Sequence, residues 1–308
     1  MTVNGEAPTV TVFGSCNMDL VAYVATPPQR GETVHGREFR TVSGGKGANQ
    51  AIAAARAGAH TAMVGAVGAD EFGARIRETL QRCAVDTRGL REVPGHSGTA
   101  HIVVDDAGGN SIIVIPAANG TVTAPAEGDE ERIAASQSLL LQLEIPLDGV
   151  TAAAETARRH GVPVVLTPAP AVELPASVLD RVDVLVPNEH EAAVLTGHHD
   201  PEQAMRDLLK RVPEVVITMG DRGSFYGNRA GDRIDMPAYP ARAVDTTAAG
   251  DTFVGVLSVA VATGVQRREA LRRASAASAL SVQRNGASSS MPTAREVDEF
   301  LAAATGDR

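Results

Sequence analysis

Asp251 is the residue around which chemistry could be built. It lies in "AVDTTAAGDTFVGVL" (243–257), where Ala248, Ala249 and Gly250 run directly into an apolar helical pattern. A helix start carries unpaired backbone N–H groups and the positive end of the helix dipole, so it favours an anion. Ala and Gly leave those amides unshielded. The carboxylate has two readings there. It is a first-turn helix stabiliser, or it is a general base that takes a proton from a hydroxyl while the amides hold the phosphoryl group under attack.

A second small-residue stretch, "SGGKGANQA" (43–51), places Gly44, Gly45 and Gly47 around Lys46 and Asn49. Its glycines would let backbone amides approach a ligand closely. Lys46 donates and Asn49 both donates and accepts, a set suited to hydroxyls. The alternative is an ordinary glycine turn before a helix. The residues around Lys46 do not satisfy the P-loop pattern, and no G-x-G-x-x-G follows the first strand. Asp19 in "GSCNMDL" and Glu144 in "LLLQLE" follow apolar runs, where a charge needs a cleft or a partner. In "VPNEHEA", Asn188 suits a helix cap. With phosphate and Mg²⁺ nearby, Glu191 could instead position metal-bound water. The histidines of "HSG" (96–98) and "GHHD" (197–200) lack zinc-ligand spacing and read as loop residues, and Cys16 reads as a small buried one.

Alternating elements must position these groups. Apolar runs at 9–15, 61–68, 137–144, 162–168, 182–188 and 214–220 read as strands. Helical patterns fall at 47–58, 70–83, 148–160, 188–196 and 201–211, then at about 250–263, 267–283 and 293–304. The alternation predicts an α/β fold with a mainly parallel sheet covered on both faces. Ligands of such sheets lie beyond the strands' carboxyl ends, which selects residues 14–19, Glu144, Asn188 and Gly220. Two regions break the pattern: 20–43 has no helical period, and 98–115 reads as a hairpin. They either form a small lid sheet over the site or extend the main one. No repeat or interdomain linker is visible, so 1–308 reads as one domain, with lid segments at about 17–43 and 97–117.

Composition narrows the partners. Of 308 residues, 44% are hydrophobic and 3% aromatic, with no Trp, so Ala, Val, Leu and Ile must build the core. The formal net charge of −9 and the lack of a basic stripe argue against nucleic acid or an acidic membrane surface. A polyanionic ligand would have to rely on local donors and a divalent cation. Two cysteines make no disulfide framework. No signal peptide and no apolar run of about 18 residues is read, so a soluble cytoplasmic protein is expected.

"GGKGANQA" and "DTTAAGDTF", with "GSCNMDL", "GETVHG", "LQLEIP", "VPNEHEA", "ITMGDRG" and "SVQRNGASSS" in order, resemble the ribokinase-like (PfkB) carbohydrate kinase family along nearly the whole chain. The resemblance implies a three-layer α/β/α sandwich whose small β-lid also forms a homodimer interface. It implies transfer of the ATP γ-phosphate to the 5-hydroxyl of ribose. Asp251 would then be the base, with Ala248, Ala249 and Gly250 as anion hole. Asn17, Asp19, Gly45, Lys46, Gly47, Ala48, Asn49 and Glu144 would form the sugar site, with Met18 trimming it. Asn188, Thr218, Met219, Gly220, Asp221, Arg222, Gly223 and Ser275 would meet the nucleotide, together with Gly250 and Asp251. Mg²⁺ would come with ATP, held through water by Glu191. A K⁺ site would map to Asp245, Thr247, Ser281, Arg284, Gly286 and Ser290. Ser275 stands where the family usually has Asn or His, and Ala117 replaces a usual glycine.

Overall fold

Residues 6–306 are described in a computed structural model; the ends of the expected 1–308 unit, 1–5 and 307–308, lie outside the described residues. In chain order the strands are β1 (Thr9–Phe13), β2 (Asn17–Val24), β3 (Gly36–Gly44), β4 (His60–Gly68), β5 (Val85–Val93), β6 (Gly98–Val104), β7 (Asn110–Ile115), β8 (Ser138–Leu141), β9 (Val164–Leu166), β10 (Val184–Leu185), β11 (Glu214–Thr218), β12 (Ser224–Asn228) and β13 (Arg233–Met236). The helices are α1 (Lys46–Arg56), α2 (Glu71–Arg82), α3 (Asp129–Ala134), α4 (Leu147–Arg159), α5 (Ala176–Leu179), α6 (Glu189–Thr196), α7 (Pro201–Leu208), α8 (Ala249–Ala262), α9 (Arg267–Ser281) and α10 (Ala294–Gly306).

The main sheet has nine strands in the order β13-β12-β11-β10-β9-β8-β1-β4-β5. From β11 to β5 every pairing is parallel, and β12 and β13 add an antiparallel edge. Strand alternation sends side chains to two cores. Val10, Val12, Leu140, Val165 and Val216 face one, packed under α1, α2, α8, α9 and α10. Phe13, Leu139, Leu141, Val164, Leu166 and Ile217 face the other, under α3 to α7. Both faces are therefore covered, which explains why these strands read as continuous apolar runs.

The two irregular regions form a separate four-stranded sheet, β3-β2-β6-β7. β2 pairs antiparallel with β3 and parallel with β6, and β6 and β7 make the expected hairpin. This sheet is separate, beside the strands' carboxyl ends, and not an extension of the main one.

Small residues bring the key helices together. A Cβ on Gly255 of α8 would stand 2.5 Å from the Ala53 Cβ of α1. Only glycine permits that approach, and it sets the start of α1 against the start of α8.

Candidate active site

Asp251 sits in the first turn of α8, with only 8% of its surface exposed. Its Oδ2 accepts from Asn49 Nδ2 at 3.0 Å and its Oδ1 from Gln50 Nε2 at 3.1 Å. Burial raises its pKa above the ordinary carboxylate value, against the pull of Lys46 and of both amide donors, while Glu144 adds to the rise. Such a carboxylate is desolvated yet oriented, the condition of a general base.

The turn before it is wound as a cap. Ala248 adopts φ 59°, a left-handed conformation that costs a non-glycine residue energy. The Ala249 N–H is spent on the Thr246 carbonyl at 3.2 Å. Among the described residues no protein acceptor takes the Ala248 or the Gly250 N–H, so two of the three amides of the expected anion hole stay unpaired. A Cβ on Gly250 would meet nothing within 4 Å, and the residue lies at the wall of a cavity.

In the glycine stretch at the start of α1, several amides are taken up within the protein. The Gly47 N–H donates to Ser15 Oγ at 3.3 Å, Ala48 N–H to the Ser15 carbonyl at 2.9 Å, and Lys46 N–H to Glu144 Oε2 at 3.0 Å. A Cβ on Gly45 would lie 2.6 Å from Asn17 N, and one on Gly47 2.6 Å from Ser15 backbone atoms. The glycines let the turn seat against the chain between β1 and β2, which occupies the Gly47 amide, while among the described residues no protein acceptor takes the Gly45 N–H. Ala48 itself is core.

What faces the cleft is a set of side chains around Glu144. Its Oε2 also accepts from Ser15 Oγ at 2.6 Å and from Asn17 Nδ2 at 3.5 Å. Asn17 is oriented by Asn119, whose Nδ2 donates to Asn17 Oδ1 at 2.7 Å and to the Cys16 carbonyl, while its Oδ1 accepts the Cys16 N–H. Sequence reading passed over Asn119; a buried amide after a hairpin carries no local signal. Asn17 and Asp19 share one face of β2. Met18 points the other way, fully buried in the core, and does not trim the cleft. Asn49 Oδ1 is buried without a protein partner, an acceptor left for a ligand hydroxyl.

The charges converge. Burial, then Glu144 and Asp251, push the Asp19 carboxyl up to about 7, against Lys46. Burial would lower the Lys46 pKa, but Asp251, Glu144, Glu191 and Asp19 together hold it above its ordinary value. One ammonium thus serves four carboxylates, which leaves room for a cation arriving with a ligand.

On the other side of Gly250 opens a cavity of about 530 Å³. Thr218, Gly220, Asp221, Gly223 and Ser275 line it as expected. Tyr239, Ala241 and Ala243 line it too, from an irregular loop that announced nothing in the sequence. Ser278, Ala279 and Val282 stand three, four and seven positions beyond Ser275, and helical period alone would have found them. Asn188 and Glu191 form a capping box: Asn188 Oδ1 accepts the Glu191 N–H, and Glu191 accepts from the Asn188 N–H at 2.8 Å and Nδ2 at 2.9 Å. Arg222 pairs with Glu189, and Met219 packs against the core. Asn188, Glu191, Met219 and Arg222 do not line the cavity wall.

The segments expected to share a cation also meet. Asp245 Oδ1 accepts the Thr247 N–H and Oδ2 the Gly286 N–H, both at 2.9 Å. Burial raises this carboxyl, but those bonds and Arg40 outweigh it and hold it below its ordinary value. Arg284 turns its guanidinium to Glu296 at 2.6 Å, so only its backbone stays near the loop. Ser290 Oγ donates to the Ala287 carbonyl. Among the described residues no group of three or more His, Cys, Asp or Glu could hold a metal ion by itself.

Known proteins resemble this chain over nearly its whole length. The model of the pfkB family carbohydrate kinases matches residues 7–294. The ribokinase of Bacillus subtilis is 43% identical over 296 residues, 95% of this chain and 99% of that protein. The ribokinase of Schizosaccharomyces pombe is 40% identical over 306 residues, 94% and 96% of the two chains. The structure of Arabidopsis thaliana ribokinase complexed with ribose and ATP superposes with a TM-score of 0.90 at 35% identity, covering 96% of this chain and 99% of that one. A buried acid at a helix start, an amide-rich cleft and a cavity behind them thus accompany a match over nearly the whole length, and the chain belongs to the pfkB family of carbohydrate kinases.

Proposed function

We propose that this chain transfers the γ-phosphoryl group of ATP to the 5-hydroxyl of ribose. The observation that carries the reading is the position of Asp251, between hydroxyl-binding side chains on one side and the unpaired Gly250 amide and cavity on the other. Asp251 takes the hydroxyl proton as the O–H bond breaks. The new O–P bond forms, the bond from the γ-phosphorus to the bridging oxygen breaks, and ADP leaves. The chain's part is positioning and charge stabilisation, which is most of what phosphoryl transfer asks of a protein. Asn17, Asp19, Asn49 and Glu144 hold the sugar hydroxyls, and a site built for hydroxyls discriminates against analogues lacking them. Lys46 offsets the acids, and the unpaired Ala248 and Gly250 N–H groups bind the transferred group.

Mg²⁺ bound with ATP would neutralise charge on the phosphate oxygens. Glu191 fits only an outer role toward it, through water, because both its oxygens already accept from Asn188. Asp245 and Thr247, with carbonyls of the 281–290 loop, fit a K⁺ ion beside the anion hole, since Asp245 already ties the two segments together. The exposed Phe39 and Ile112–Ile115 side chains of the lid support a homodimer through that sheet. We further read residues 1–308 as one domain working in the cytoplasm, a reading supported by two free cysteines and by the absence, among the described residues, of a helix fit to span a membrane.

The test is ATP-dependent phosphorylation of a sugar panel. Ribose should exceed 2-deoxyribose, fructose and adenosine in kcat/KM. A preference for any of the others overturns the sugar, and no turnover with any overturns the kinase.

A further inference from the structure

Two glutamines stand behind Asp251, both with no surface exposed to solvent. Gln50 of α1 has its whole amide engaged. Its Nε2 donates to Asp251 Oδ1 at 3.1 Å and to Thr167 Oγ1 at 3.3 Å, and its Oε1 accepts from Gln142 Nε2 at 2.7 Å. Gln142 lies just past β8. Its own Oε1 is buried without a hydrogen-bond partner. Gly14 makes the room, since a Cβ there would lie 1.9 Å from that oxygen.

The chain of amides has one sensible direction. Turning Gln50 over would set its Oε1 against the Asp251 carboxylate. Turning Gln142 over would set two carbonyl oxygens face to face. An ionised Asp251 therefore demands this polarity, and the cost is passed to the far end as the orphan oxygen of Gln142. A methionine at either place would fill the same space without a buried unpaired acceptor. Core packing alone gives no reason for the pair. We infer that Gln50, held in one orientation by Gln142, is a positioning residue that keeps Asp251 ionised and aimed at the sugar hydroxyl. The inference rests on Asp251 being the base. Of the ionisable groups facing Asp251, Lys46 favours the carboxylate, while Glu144, Asp19 and Glu191 disfavour it. The glutamines add to Lys46 a donor that needs no charge of its own.

The experiment uses the full chain with Gln50→Met, Gln142→Met, the two together, and Asp251→Asn. The measurement is kcat against pH at saturating ribose and Mg²⁺–ATP, with the KM for ribose and the Tm alongside. Gln50→Met should move the acid limb up by about one pH unit and lower kcat below the limb about tenfold. The KM for ribose should change by less than about threefold. Gln142→Met should shift the limb the same way by less, and the double variant should go no further than Gln50→Met. An unmoved limb in folded protein, or a raised KM with kcat intact, overturns the inference. If Gln50→Met does not fold, Gln142→Met decides alone. Wild-type turnover by Asp251→Asn would sink the base reading itself; an inactive Asp251→Asn with unmoved limbs sinks only the role of the glutamines.

Discussion

Asn49 Nδ2 stands 3.0 Å from Asp251 Oδ2, a contact that joins residues 202 positions apart. It is the seam between the chain's two small-residue stretches, and the close packing of α1 on α8 makes it possible. Asn49 keeps Oδ1 buried and unpaired beside the acid. A sugar hydroxyl that donates to Asn49 would lie next to the carboxylate that receives its neighbour's proton.

The first expectation concerns that carboxylate. Asp251→Asn keeps the shape and removes the basic oxygen. Turnover should fall by about 10²–10⁴-fold, the usual range for loss of a general base. Ribose binding measured by calorimetry should survive, because the other hydroxyl-binding groups remain. Unchanged turnover would refute the assignment.

Much of this seam was legible in the sequence, but not evenly. Small residues leading into an apolar helical run marked the start of α8, because amide exposure there follows from side-chain size alone. The alternation of strand and helix gave the main sheet, since period reports burial. The glycine stretch has a second cause that local pattern does not show: Gly45 and Gly47 pack against Cys16, Asn17 and Ser15, where a Cβ would not fit. Those contacts are tertiary and leave no trace in local pattern. Asn119, Gln50 and Gln142 went unread for the same reason. A buried amide is recognised by its partners, and these partners lie about 90 to 200 positions away.

The second expectation separates two glycines. Gly47→Ala would push a Cβ to 2.6 Å from backbone atoms, which cannot move cheaply. It should cost about 2–4 kcal/mol in denaturant unfolding, as overpacking of backbone does. Gly250→Ala meets nothing within 4 Å, and alanine favours a helix. Its stability should stay within about 0.5 kcal/mol of the parent. Turnover should nonetheless fall at least tenfold, because the methyl group enters the space kept for the phosphoryl group. A Gly250→Ala enzyme of normal activity would show that the phosphoryl group does not occupy the space beside Gly250.

The third concerns cations. Chelation of Mg²⁺ should abolish turnover reversibly. Replacing Na⁺ with K⁺ at constant ionic strength should raise kcat, and Asp245→Ala should erase that difference while keeping some basal rate. The reasoning is that Asp245 binds the Thr247 and Gly286 amides at once, so its loss frees the loop a K⁺ ion would order. Equal rates in Na⁺ and K⁺ for the parent would eliminate the site.

The last expectation follows from Asp19, whose carboxyl burial and the nearby Glu144 and Asp251 push up to about 7. Below about pH 4 this side chain is protonated in folded and unfolded chains alike. Between there and about 7 the folded protein holds a proton that the unfolded chain has released. Stability from this group is therefore lost as pH rises through about 7. The shift sets a ceiling of about 4 kcal/mol, and solvent reaching the partly exposed carboxylate reduces it to about 1–2 kcal/mol. Asp19→Asn should accordingly melt higher than the parent at pH 8, with the gap closing as pH falls toward 4. Its KM for ribose should rise about tenfold or more, because a charged acceptor for a hydroxyl is gone. Melting curves across that pH range check the first half, and saturation kinetics at pH 8 check the second. A variant that melts lower than its parent at pH 8 would show that the buried carboxylate does not burden the fold, and an unchanged KM would remove Asp19 from the sugar site.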